Sequence, residues 1–185
     1  IEECQHSSEI DHPSARAVLN FLNMNDQLEI HYDGDLPGKS GIGSSSSFTV
    51  GLLNALHAYN GRTLKAIQLA EEAIHIEQNI IGETVGSQDQ IAAAFGGLNH
   101  IKFTGDSFQV NPIKIPDDRL KQLNSNIMLF FTGISRFAEK VAKTYVDDIK
   151  ARAGQLTVMH KMVDEGKEIL SSGDIDDFGY LLDQA

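Results

Sequence analysis

"DLPGKSGIGSSSS", residues 35–47, gathers glycines and serines around a Gly-Lys-Ser triplet, and its reading decides the fold. Three familiar templates miss it. A Walker A loop, G-x-x-x-x-G-K-[ST], ending at Gly38-Lys39-Ser40 would need glycine at Asp33. Moved to Gly38 and Gly43, the same spacing is followed by Ser44 where lysine is required. The dinucleotide fingerprint G-x-G-x-x-G fits Gly41 and Gly43 but meets Ser46 at its third position. A nucleophile elbow begun at Gly38 and Ser40 ends on Ile42 rather than glycine.

The loop is therefore read from its own chemistry. Upstream, "QLEIHYD", residues 27–33, alternates Leu28, Ile30 and Tyr32 with polar neighbours, which predicts a strand. Downstream, Phe48, Leu52, Ala55 and Leu56 keep helical spacing up to a stop at Gly61. Between them, Gly38, Gly41 and Gly43 allow positive φ and a close approach of main chain to a ligand. Ser44 to Ser47 then fall at a helix start, where amides lack an intrahelical acceptor and the dipole favours an anion. Such a loop can cradle phosphate without a Walker lysine. A Gly/Ser run also serves as a plain connector, and serine is a common N-cap, so the loop alone does not separate the two.

Two acids add weight. A helix predicted from about Thr63 to Ile81, stopped by Gly82, carries Glu77 near its end. "GSQDQIAAAFGG", residues 86–97, predicts a short helix with Ser87 and Gln90 as an S-x-x-Q capping box and Gly96-Gly97 as the stop. Asp89 lies in its first turn, where the dipole favours a carboxylate. Either acid could hold a divalent cation or take a hydroxyl proton, and either could be an ordinary helix residue.

The remaining chain predicts a helix over 13–22 with Pro13 in its first turn and a hairpin around Gly105-Asp106. An apolar, central strand is expected over 126–133, and helices over 135–151, 155–170 and 175–182. Strands and helices are segregated more than alternating, which favours an α+β class. Leu156, Met159, Met162 and Val163 share helical spacing and are expected in a core. The 185 residues are 41% hydrophobic and 22% charged, as in a globular chain. A net charge of −11 argues against a nucleic-acid partner, though not against a small phosphorylated ligand. No apolar run reaches the ~18 residues of a membrane span, and the single cysteine, Cys4, fits a reducing, cytoplasmic setting. Of the seven histidines, His75 forms an H-x-E with Glu77, but the zinc deaminase signature also needs cysteines this chain lacks. A Ser44, His57, Asp89 triad has no elbow to support it. Arg136, after the apolar stretch, is equally a substrate contact or a surface residue.

The loop with its following "FTVGLLNAL" resembles the glycine-serine motif of the GHMP kinases, P-x-G-x-G-hydrophobic-G-S-S, with Lys39 and Ser40 standing where glycine or small residues are usual. "IEQNIIGETVGSQDQIAAAFGGLNHIKF" resembles the family segment bearing a metal-binding glutamate and a catalytic aspartate. The four serines, "QDQIAAAFGG" and "LFFTGISRFA" are most similar to the D-glycero-D-manno-heptose 7-phosphate kinase branch and related sugar kinases. The likeness extends over roughly residues 12–185.

This resemblance implies a two-lobed α+β fold. Residues 1–115 would be part of its N-terminal lobe and 116–185 part of its C-terminal lobe. The family's N-terminal basic motif and glycine-rich C-terminal motif are not found, so the fold is expected to be incomplete at both ends. It further implies ATP and Mg²⁺ as cofactors and a sugar or sugar-phosphate acceptor, with the heptose 7-phosphate anomeric hydroxyl ahead of galactose or fucose. A nucleotide- or sugar-binding regulator on the same fold is the rival from another class. Carried over by position, Gly38, Lys39, Ser40, Gly41, Ile42, Gly43, Ser44, Ser45 and Ser46 would surround the nucleotide phosphates. Ser45, with Ser44 as the alternative, and Glu77 would hold Mg²⁺, and Asp89 would meet the accepting hydroxyl.

Overall fold

The computed structural model describes residues 2–24, 28–35, 38, 40–105, 107–134, 142 and 148–185. Lys39, Arg136 and most of the helix expected over 135–151 lie outside the described residues. The chain divides into two compact units, Ile1–Gly96 with Gly133–Thr144, and Gly97–Thr132 with Tyr145–Ala185. Each is characterised by its described residues.

The first unit is built from helices. A short 3-10 turn, Ser7–Glu9, leads to α1, Pro13–Phe21. Proline at the first position of α1 has no amide to leave unpaired, and the His12 ring accepts the Ala15 N–H. Helix α2, Ser44–Tyr59, turns Val50, Leu53 and Leu56 inward and is closed by Asn60 and Gly61, whose φ of +70° suits glycine. Helix α3, Ala66–His75, runs directly into a π-helical segment, Ile76–Ile81, that ends on Gly82 in the left-handed region. Helix α4 spans Gln88–Phe95 and stops at Gly96. Ala17, Val18 and Leu19 of α1, Val50, Leu53 and Leu56 of α2, Leu69 and Ala73 of α3, and Ile76 form one apolar core. Helix α4 packs on α2 and α3.

The second unit holds an antiparallel hairpin, β1 Asn99–Thr104 and β2 Ser107–Pro112, in register from Asn99 opposite Pro112 to Thr104 opposite Ser107. Three helices follow among its described residues: α5 Asp117–Asn126, α6 Ala153–Ser172 and α7 Ile175–Gln184. Leu123, Leu170 and Ile175 make a small core with Ile115 and Phe178 against it. Arg119 of α5 caps the end of α6, donating to the carbonyls of Ile169, Leu170 and Gly173 at 2.8, 3.2 and 2.8 Å. That helix end would otherwise leave carbonyls unpaired.

Several expectations are corrected. The described part of the 27–33 strand is not a strand: Ile30 and Tyr32 are exposed. Residues 127–133 are irregular rather than a central strand, with Met128 77% and Phe130 74% exposed. A strand exists only as half of a ladder, and among the described residues the sheet pairs β1 with β2 alone. Leu156, Met159 and Val163 are exposed, because α6 turns Gly166 and Leu170 inward instead. Helix α5, which the sequence reading left unassigned, has Asp117 and Asp118 in its first turn, the acidic start a helix dipole favours. The Ser87/Gln90 capping box does not form, since Gln90 is fully buried and directed elsewhere.

Candidate functional site

The glycine-serine loop enters α2 through Gly41 and Gly43, with φ of +82° and +73°. Gly43 is the N-cap, and no side chain caps the helix. The first intrahelical bond runs from the Ser47 N–H to the Gly43 carbonyl at 2.9 Å. The amides of Ser44, Ser45 and Ser46 therefore precede the helical ladder and have no acceptor within it. A positive φ at the N-cap is open to glycine at little cost, and it sets the direction in which those amides emerge. The Ser40 hydroxyl, also on this loop, is buried and unpaired among the described residues.

Both predicted acids come to the start of α2. Glu77 is 2% exposed, and its Oε2 accepts from the Ser46 hydroxyl at 2.9 Å. The same oxygen accepts from the Gln90 side-chain amide. Its other oxygen, Oε1, is buried and without a partner among the described residues. The main chain at Glu77 is equally specific. Its carbonyl accepts from Gly82, the five-residue span of a π turn, and also, at 3.0 Å, from Glu83 just past the end of the segment. Single π turns inside α-helices occur frequently at functional sites. Here consecutive residues, Ile76 and Glu77, are both buried.

Asp89, exposed and in the first turn of α4, lies against the loop. A Cβ built on Gly43 would sit 3.1 Å from Asp89 Cγ and Oδ2 and 3.2 Å from its Cβ. The carboxylate thus rests beside the N-cap of α2 while standing in the first turn of α4, and both helix dipoles favour negative charge there. Gln78 fixes the connection between the two acids, donating to the Val85 carbonyl at 3.0 Å and to the Ser87 hydroxyl at 3.1 Å. Ser87 is thereby engaged by Gln78, and Gln90 by Glu77, which is why the capping box is absent.

Among the carried-over residues, Ser46 meets Glu77 and Gly43 lies against Asp89, with Gly41 two residues earlier in the same loop. Gly38, Ser40, Ile42, Ser44 and Ser45 continue the same loop and helix start, with Ile42 exposed. The hydroxyl that meets Glu77 is Ser46's. Ser45 is exposed, and its carbonyl accepts from Thr49 at 3.2 Å. His57 does not join Ser44 and Asp89. It lies near the far end of α2, about 20 Å along the axis from Ser44, buried and bonded to Glu72 at 2.7 Å. His75 is exposed and meets Asn79. Two contributors escaped the sequence reading, Gln78 and Gln90. Gln90 stood in the capping pattern, and no local signal marks a partner thirteen residues upstream.

The donor set suits a divalent cation beside phosphate: a buried carboxylate with one oxygen left bare, and free amides on a helix start. Among the described residues, no cluster of three or more His, Cys, Asp or Glu could hold a metal ion, so protein carboxylates alone would not complete a cation's ligands. No described helix is long and apolar enough to cross a membrane.

Residues 13–97 match the family described as "GHMP kinases N terminal domain". Over 127 residues the chain is 33% identical to the D-glycero-alpha-D-manno-heptose 7-phosphate kinase of Campylobacter jejuni, covering 68% of this chain and 38% of that protein. It is 31% identical over 140 residues to the galactokinase of Pyrococcus furiosus, covering 74% of this chain and 36% of that one. The crystal structure of a D-glycero-D-manno-heptose 1-phosphate kinase from Bacteroides thetaiotaomicron superposes with a TM-score of 0.73 at 29% identity, over 96% of this chain and 56% of its own. The chain thus spans little more than a third of these two relatives and just over half of the solved kinase.

Proposed function

We propose that the protein, whose residues 13–97 match the N-terminal domain of the GHMP kinases, transfers the γ-phosphoryl group of ATP to a hydroxyl of a sugar or sugar phosphate. The observation that carries the reading is the convergence of Glu77 and Asp89 on one glycine-led helix start. Loop and connector chemistry would account for the glycines and serines alone. It gives no reason for a buried carboxylate bonded to Ser46, or for a second carboxylate against Gly43.

In this mechanism the amides of Ser44 to Ser46 and the dipole of α2 bind and orient the phosphate tail. Glu77 Oε1, with a serine hydroxyl of the loop, would hold Mg²⁺. The cation, when bound, supplies positive charge against the phosphate oxygens. Asp89 accepts a hydrogen bond from the acceptor hydroxyl and aims it at the γ-phosphorus. As the new O–P bond forms, the bond to the bridging oxygen breaks and ADP departs, and Asp89 takes the hydroxyl proton. Removing water and fixing the two reactants in line supply much of the acceleration, since phosphoryl transfer needs little covalent help from protein.

The acceptor we favour is D-glycero-D-manno-heptose 7-phosphate at its anomeric hydroxyl. Its support is the likeness to the Campylobacter heptose 7-phosphate kinase; the solved Bacteroides kinase, titled a heptose 1-phosphate kinase, supports a heptose phosphate as the acceptor class and not the position. An anomeric hydroxyl is more acidic than an ordinary alcohol, so a carboxylate of modest basicity suffices. A galactokinase-like acceptor is the alternative, favoured by the Pyrococcus relative. The test is ADP release with ATP, Mg²⁺ and a panel of sugars and sugar phosphates. Wild type is expected to turn over at least one heptose phosphate or hexose. Asp89→Asn is expected to lose turnover at least ~10²-fold, the lower range for a positioned acid or base, while nucleotide affinity stays within a few-fold. A wild type that releases no ADP with any acceptor, yet binds nucleotide, would leave a binding regulator as the better description.

A further inference from the structure

We propose that Gln90 and Ser46 are positioning residues that hold the Glu77 carboxylate in one orientation, with Oε1 reserved for a divalent cation. The inference rests on the reading of Glu77 as a cation ligand. Both donors land on the same atom: the Ser46 hydroxyl and the Gln90 amide nitrogen each bond Oε2. A carboxylate serving only as internal glue would be expected to divide its donors between its oxygens, because a bare buried carboxylate oxygen is costly. Here Oε1 is buried and, among the described residues, unpartnered, in a residue that is 2% exposed. The Gln90 amide cannot be turned over, since its carbonyl would then face the carboxylate. Its own Oε1 is therefore fixed away from Glu77, and it too is buried and unpartnered. The two atoms of this pair with no hydrogen-bond partner among the described residues, Glu77 Oε1 and Gln90 Oε1, are both acceptors. That is the polarity a cation requires and an anion refuses.

The placement also couples the parts of the site. Ser46 belongs to the first turn of α2, Glu77 to the π turn, and Gln90 follows Asp89 in the first turn of α4. One carboxylate thus ties the phosphate loop to the helix that carries the second acid. Gln90 is fully buried, so its side chain has a single available use among the described residues.

The experiment is calorimetric titration of ADP into the protein at a series of Mg²⁺ concentrations, with thermal unfolding recorded in parallel. Gln90→Met keeps the volume and removes the donor. It is expected to raise the Mg²⁺ concentration giving half-maximal ADP binding by about 10- to 100-fold, the loss seen when a partner of a metal ligand is removed. ADP affinity without metal should be unchanged. Ser46→Ala should shift the same midpoint in the same direction, and Ser46→Thr, which keeps the hydroxyl, should restore it. Should Gln90→Met not fold, the Ser46 pair decides the question. A wild-type Mg²⁺ midpoint in the folded variants, with only a lower melting temperature, would make the contacts structural and overturn the proposal. Wild-type ADP binding that ignores Mg²⁺ would overturn it together with Glu77 as a cation ligand. Absence of sugar phosphorylation beside an intact Mg²⁺ shift would sink the kinase reading and leave this one standing.

Discussion

Gly43→Ala separates backbone cost from site geometry, because Gly41 provides an internal control. Both glycines hold positive φ, +73° and +82°, so alanine at either is forced toward the left-handed region at about 1–2 kcal/mol. For a chain of this size that lowers the melting temperature by roughly 2–8 °C. The surroundings then differ. Among the described residues nothing lies within 4 Å of a Cβ on Gly41, whereas a Cβ on Gly43 meets Asp89 Cγ and Oδ2 at 3.1 Å and Asp89 Cβ at 3.2 Å. A rotation of the carboxylate relieves the first two contacts. The third involves an atom fixed to the main chain, so the first turn of α4 must give by a few tenths of an ångström. Misplacing a reacting group by ~1 Å can cost about 10²-fold in rate, so a displacement of this size is expected to cost about 3- to 10-fold. Scanning fluorimetry and ADP release on both variants provide the comparison. Gly41→Ala should lose stability with turnover largely kept, apart from any effect of the loop on nucleotide affinity. Gly43→Ala should lose at least as much stability and, at saturating nucleotide, more turnover. In an Asp89→Gly background, the extra stability loss of Gly43→Ala over Gly41→Ala should vanish. Equal turnover in the two single variants, or an undiminished difference in that background, would refute the placement of Asp89 against the N-cap.

Two further outcomes concern other parts of the chain. Arg119→Ala leaves the carbonyls of Ile169, Leu170 and Gly173 without their charged donor and should cost about 1.5–3 kcal/mol in the second unit; faster amide exchange at the end of α6, with exchange in α1 to α4 unchanged, would check it. The Glu9 carboxyl is held below the usual glutamate range by hydrogen bonds from the Gln5 and His6 amides. Its stabilisation of the Ser7–Glu9 turn should be present above the unfolded-state pKa and fade as pH falls through the lower folded value. A side-chain carbon titration by NMR should place the Glu9 midpoint below that of an exposed glutamate, and an ordinary midpoint would remove the contact.

What the sequence disclosed about this site, and what it withheld, follows from the range of the interactions involved. Helix boundaries set by one residue's own dihedrals were legible: Pro13 opens α1, and Gly61, Gly82 and Gly96 close their helices at φ of +70°, +79° and +62°. The glycine loop and the place of Asp89 in a first helical turn were legible for the same reason, since each is decided within a few residues. Pairing was not. The alternation of 27–33 and the apolarity of 126–133 are sound strand signals, but a strand also needs a neighbour, and nothing in its own residues says where one lies. The apolar spacing of Leu156, Met159 and Val163 likewise marks one face of α6 without saying whether anything in the chain covers it. Gln90 is the sharpest case. Its local pattern with Ser87 satisfied every requirement of a capping box, yet a bare buried carboxylate on the π turn competes for the same amide and wins. A charged acceptor out of water gains more from a donor than a backbone amide that solvent can reach. Four successive serines pose the related problem that identical residues differ only in direction. Each helical step turns the side chain by about 100°, so the Ser46 hydroxyl reaches Glu77 while Ser45 faces outward. Chemistry that depends on which of several equal side chains faces inward is settled by the packing of α2 against α3 and α4, and only then by composition.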